Sequence, residues 1–218
     1  MNYFMVKRDN EVEKNFNSIY KCIDADICSE LKQGKPRDYI QFGIMRRLLM
    51  VESSYKYIIQ SARRFRNTYL SYEEVQYLSK EINLIYINCV GILDNLCWVY
   101  IYEKLPCDQI ENYEKKPMSV CLSKLFCDES KGSFIKEIKE IEKNWDIKDK
   151  RNPIAHRWPF YIPPDGMELD DNEIDKFIIF HNGEERNKYY VFPDLLDDIE
   201  KLIKVINIIL TKTFDKLN

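Results

Sequence analysis

Apolar side chains recur along this chain every three or four residues, in runs separated by short polar breaks. Val12, Phe16, Ile19, Ile23, Ile27 and Leu31 form the first run, which Gly34 and Pro36 close. Such spacing puts the apolar groups on one face of a helix. A second run covers 38–67 through Ile40, Ile44, Leu48, Val51, Tyr55, Ile58 and Ala62. Its last turns hold Arg63, Arg64 and Arg66, where cations suit the negative end of the helix dipole. A third helix is predicted from Ser71, because Ser71 and Glu74 have the spacing of a capping box. It runs to about Lys104, ahead of Pro106, and its second half is apolar nearly all round, as in a central core helix. A polar loop is expected over 106–117, then shorter helices at about 119–127 and 132–144. "FIIF" and "YYVF" flank "HNGEERNK", the pattern of a β-hairpin. A last helix is expected over about 193–217, with Leu196, Ile199, Leu202, Ile203, Ile206 and Leu210 on one face.

These elements predict an all-α fold, an up-down helical bundle with a small β-hairpin inserted before the C-terminal helix. A single domain over 1–218 is expected, with the inserted loop and hairpin at about 159–192. Composition agrees, since 45% hydrophobic and 32% charged residues are ordinary for a soluble globular chain. The formal charge of -3 excludes coating nucleic acid by bulk charge. Any such binding needs a local patch, for which Arg46–Arg47, the 63–66 arginines and the run from Lys148 to Arg157 are candidates. A solvated helix face is the plainer reading of any one of them. Seven cysteines, an odd number with no C-x-x-C pair, read as reduced core thiols rather than disulfides or a zinc site. The most apolar stretch, 82–102, carries Asp94 and Asn95 at its middle, so a core helix is expected and no membrane span. The start, "MNYFMVKRDNEVEK", lacks an apolar stretch long enough for a signal peptide, so a cytoplasmic location is expected.

Chemistry concentrates in "RNPIAHRWP", residues 151–159. Asn is a favoured helix cap and Pro a favoured first helical residue, so Asn152–Pro153 is expected to open a short helix that Pro159 limits. Arg151 would then precede a helix N-terminus, with His156 one turn inside. Free amides at such an end attract anions, and a forked guanidinium suits a phosphodiester. An imidazole with a reference pKa near about 6.5 adds a general acid or base. The spacing alone leaves a bland alternative open, with His156 a satisfied helix residue and Arg151 a surface cation. The other histidine, His181, falls in the hairpin loop and is expected to be exposed and without a role.

The segment "KDKRNPIAHRWP" resembles the signature of the HEPN superfamily, the small helical domains of many prokaryotic RNases and toxins. Their pattern is Arg, a polar residue, a few more residues, then His, and Arg151, Asn152 and His156 match it. The resemblance spans residues 10–160 plus the last helix, although its specific content is the motif itself. It implies a HEPN-like fold and metal-independent RNA cleavage by transfer from a ribose 2′-OH, without a cofactor. His156 would move the proton, Arg151 would stabilise charge on phosphorus, and Asn152 would orient the phosphate or His156. Some family toxins have Tyr two residues after the His. Here that position is Trp158, which can stack on a base or simply pack. Family members often place an acid on an upstream helix, and Asp94 is the candidate, with an ion pair to Arg151 expected. Arg157 would add to a basic cleft in a homodimer. An antitoxin or defence-system partner is also implied. Two rivals remain open: a catalytically inactive module that binds RNA, a nucleotide or a protein, and a plain interaction scaffold.

Overall fold

The computed structural model describes residues 3–29, 31–32, 34–64, 70–126, 133–156, 159–162, 179–181 and 188–214. The fold is all-α, and one short hairpin provides the β-structure among the described residues. The helices are α1 (Tyr3–Cys22), α2 (Lys35–Asp38), α3 (Arg46–Arg64), α4 (Tyr72–Lys104), α5 (Cys107–Lys115), α6 (Leu122–Leu125), α7 (Ser133–Lys143), α8 (Ile147–His156) and α9 (Leu196–Phe214). Strands β1 (Ile179–His181) and β2 (Lys188–Tyr190) pair antiparallel, with Phe180 opposite Tyr189.

Every apolar position of the first run, from Val12 to Leu31, is buried, and so are Ile40, Ile44, Leu48, Val51, Tyr55, Ile58 and Ala62 of the second. In both runs part of the helix is wound wider than α. A π-helical turn, Ile23–Ile27, follows α1, and another, Tyr39–Met45, leads into α3. The sequence carries the sign of this. Ile19, Ile23, Ile27 and Leu31 are spaced by four each time, as are Ile40, Ile44 and Leu48. An α-helix of 3.6 residues per turn drifts away from such a repeat, and a wider turn holds it on one face. Gly34, at φ 91°, ends the first stretch in a backbone conformation that disfavours side chains.

The capping box at α4 is present in both directions. The Ser71 amide donates to Glu74 Oε2 at 2.8 Å, and the Glu74 amide donates to Ser71 Oγ at 3.3 Å. By length and composition α4 could cross a bilayer, yet 61% of its most apolar window is buried in protein, as in a core helix. The expected polar loop over 106–117 is a correction. Residues Cys107–Lys115 form α5, started by Pro106, and bury no side chain. A helix without an apolar face leaves no periodic signal.

The chain divides into two compact units, with boundaries inside α1, α3, α4 and α9. The first comprises Met1–Lys14, Leu49–Cys89 and Ile147–Glu200. The second comprises Asn15–Leu48, Val90–Asp146 and Lys201–Asn218. In the first unit, Arg8 of α1 donates to Asp197 Oδ1 at 2.6 Å and to Glu200 Oε2 at 2.8 Å, both in the first turns of α9.

Candidate functional site

The motif residues lie on α8, in the first unit, and its register corrects the expected helix start. Helix α8 begins at Ile147, directly after Asp146, and Asp149 lies in its first turn. Both acids favour an N-terminus at that place. Asn152 is therefore a mid-helix residue with an exposed side chain, and Pro153 follows it inside the helix. Free amides do not surround Arg151 as they would at an N-terminus. His156 closes the helix, where the free backbone groups are carbonyls. His156 is five positions after Arg151, so the two stand about 140° apart around the helix axis. Asn152 and His156, four apart, share a face.

Arg151 is half-buried. Its Nε is buried and meets no acceptor among the described residues. One terminal nitrogen donates a long bond, 3.4 Å, to Asn152 Oδ1. No carboxylate pairs with it among the described residues. Buried N–H groups are nearly always satisfied, so an Nε with no acceptor among the described residues is uncommon. Asp94, the expected acidic partner, is half-buried on α4 in the second unit. Arg157 and Trp158 lie outside the described residues, and so do the side chains of His156 and His181.

Two anchors hold the motif in place, one on each side, and neither stood out in the sequence. Before it, the Lys150 ammonium is buried and donates to Asp198 Oδ2 at 2.6 Å. The Tyr86 hydroxyl donates to the same oxygen at 2.9 Å. Lys150 also lies over the Tyr189 ring, 4.8 Å from its centre, so β2 joins the same cluster. Phe160 and Phe180 pack edge to face beside it, 5.0 Å apart. Burial pushes the nearby Cys89 thiol far up, and the charge of Asp198 adds to that. After the motif, Asn83 of α4 grips the main chain of Phe160. Its Nδ2 donates to the Phe160 carbonyl at 2.9 Å, and its Oδ1 accepts from the Phe160 amide at 2.8 Å. Ser79 Oγ accepts from the Ile162 amide at 3.2 Å. These polar residues on an apolar helix bind the main chain of 159–162, where Tyr161 also makes a β-bridge. Asn83 lies in the apolar stretch 82–102 and Lys150 in the run from Lys148 to Arg157, but their partners Phe160 and Asp198 lie 77 and 48 residues away, so no local spacing marked either anchor.

A cavity of about 600 Å³ adjoins the second anchor. Gln76, Ser79, Lys80 and Asn83 of α4 line it together with Tyr72 and Tyr161. Both tyrosines are exposed, Tyr72 to 78%. Exposed rings beside a lysine offer stacking faces and a cation to a single strand. Among the described residues no three His, Cys, Asp or Glu side chains form a group able to hold a metal ion. Comparison with known proteins finds no matching family model, no similar curated protein and no similar solved structure.

Proposed function

We propose that this chain is a metal-independent endoribonuclease of the HEPN type, acting in the cytoplasm as a toxin or defence effector. The observation that carries the reading is Arg151, a cation whose buried Nε has no acceptor among the described residues and whose helix is anchored on both sides. A phosphodiester oxygen would pair with a terminal nitrogen of that guanidinium, one of which makes a long 3.4 Å bond to Asn152 Oδ1. His156 would take the proton from the ribose 2′-OH, that oxygen would attack phosphorus, and the 5′ oxygen of the next nucleotide would leave with a proton. Products would end in 2′,3′-cyclic phosphate. Asn152 would hold a phosphate oxygen on the face it shares with His156. The exposed tyrosines Tyr72 and Tyr161 would stack on flanking bases. Asp94, Arg157 and Trp158 are the proposed supporting residues.

One observation favours a second reading, binding without cleavage. Positions 151 and 156 stand well apart around α8, so one helix alone does not aim both at one phosphate. The test is incubation of purified protein with RNA in EDTA, comparing wild type, Arg151→Ala and His156→Ala. Cleavage by wild type alone, with cyclic phosphate ends, supports the nuclease. A strict Mg²⁺ requirement or 5′-phosphate products would sink that mechanism. RNA retention by wild type and His156→Ala but not by Arg151→Ala, without cleavage, would establish the binding module instead.

A further inference from the structure

The second unit contains a cavity of about 680 Å³, within the usual size of a small-molecule site. One wall is aromatic. Tyr39, Trp98 and Tyr102 are nearly parallel, and their ring centres lie 5.8, 5.9 and 5.6 Å from one another. Three almost equal separations make a staggered platform of offset-stacked rings, not a column and not a box, and the Lys35 ammonium lies over the Tyr102 ring, 5.5 Å from its centre. A cage for an ammonium ion needs rings that face it from several directions, whereas a platform suits a flat group laid upon it.

Two exchanges of glycine for side chain shape the rest of the lining. A Cβ on Gly43 would come within 2.6 Å of Asn95 Cγ, and one on Gly91 within 2.7 Å of Arg47 Cζ. Each glycine thus clears space for a polar side chain from the other helix, and both Asn95 and Arg47 line the cavity. Tyr39, Phe42 and Gly43 belong to the π-helical turn Tyr39–Met45, and such wide turns recur at functional sites.

The polar groups select further. Asn95 Nδ2 donates to the Gly91 carbonyl at 2.6 Å, which fixes the amide and leaves Oδ1 as an acceptor that meets no donor among the described residues. The Trp98 indole N–H and the Tyr39 hydroxyl make no hydrogen bond among the described residues. Charge does not select an anion. Lys35 and Arg47 are balanced by Asp38 and Glu114, and Lys35 is itself tied to Glu114, which also accepts from the Tyr102 hydroxyl at 2.7 Å.

We propose that this cavity binds an uncharged, flat nitrogen heterocycle of the nucleobase class, stacked on the Tyr39–Trp98–Tyr102 platform and hydrogen-bonded to Asn95 Oδ1. The ligand is either a free nucleoside or a base presented by an RNA strand. The site is separate from Arg151 and does not depend on cleavage.

The experiment is calorimetric titration of full-length His156→Ala protein with adenosine, guanosine, cytidine, uridine, their 5′-monophosphates and an eight-nucleotide RNA. One site per chain is expected for at least one nucleoside, with its monophosphate no tighter. Trp98→Leu and Tyr39→Leu, each checked by thermal melting, should weaken binding at least tenfold, while Trp98→Phe stays within a few-fold. Binding of the RNA alone, lost in the same variants, assigns the base to a strand. Failure of every probe at millimolar concentration, or binding indifferent to both Trp98→Leu and Tyr39→Leu, overturns the proposal. Arg151→Ala should leave nucleoside binding unchanged, so failure here and failure of the nuclease reading are separable.

Discussion

Lys150 and Arg151 are adjacent cations with opposite surroundings, and this difference is open to measurement. Lys150 is fully engaged, buried against Asp198 and two aromatic rings. Lys150→Met would leave the Asp198 carboxylate buried with only the Tyr86 hydroxyl among the partners named above. Removing one member of a buried pair costs about 3–5 kcal/mol. Arg151→Met removes a cation whose buried Nε has no acceptor among the described residues, so the loss should stay below about 1 kcal/mol. Urea denaturation of both variants checks this contrast. If Arg151→Met proves as destabilising as Lys150→Met, Arg151 is a structural residue and the nuclease reading loses its support.

At the scale of elements, the start of α8 changes what Asn152 can be used to test. As a helix cap, Asn152 would lose about 1 kcal/mol on truncation to alanine. As an exposed mid-helix residue it should gain a few tenths, because alanine has the higher helix propensity. Ser71→Ala, at an actual capping box, is the matched comparison and should lose about 1 kcal/mol in thermal or urea unfolding. Equal losses in both variants would contradict the register of α8. Any loss of RNA cleavage in a stable Asn152→Ala protein then belongs to chemistry and not to folding. The same pair shows what periodicity carries and what it does not. Helices with a buried face, such as α1, α3, α4 and α9, were legible because burial repeats along them. Ser71 was legible because a capping box is local. Helix α5 buries no side chain, so its sequence has the pattern of a loop. Asn152–Pro153 is a strong start signal overridden by Asp146, Asp149 and the anchoring of Lys150, and that anchoring rests on Asp198, 48 residues away. The platform of Tyr39, Trp98 and Tyr102 also joins residues distant in sequence, so no local pattern announced it.

At the scale of the whole molecule, the proposed reaction asks for more groups than one chain supplies. Transfer from the 2′-OH needs a base at the attacking oxygen and an acid at the leaving oxygen, on opposite sides of phosphorus. Each chain has His156 as the one proposed proton carrier, and Arg151 stands about 140° from it around α8. A two-fold dimer would bring two copies of one patch together and provide two histidines and two Arg151 side chains. With Arg157 from each chain, it would also form a basic cleft on a protein of net charge -3. The prediction is that the active unit is a dimer with a composite site. Wild type and His156→Ala are mixed, unfolded, refolded together and assayed. If both histidines are needed, activity follows the square of the wild-type fraction, so equal mixing leaves about a quarter of the activity. Light scattering at the assay concentration should give twice the mass of 26.3 kDa. Activity strictly proportional to the wild-type fraction, or an active monomer, rules out the shared site. The proton would then have to pass between His156 and a second group on the same chain.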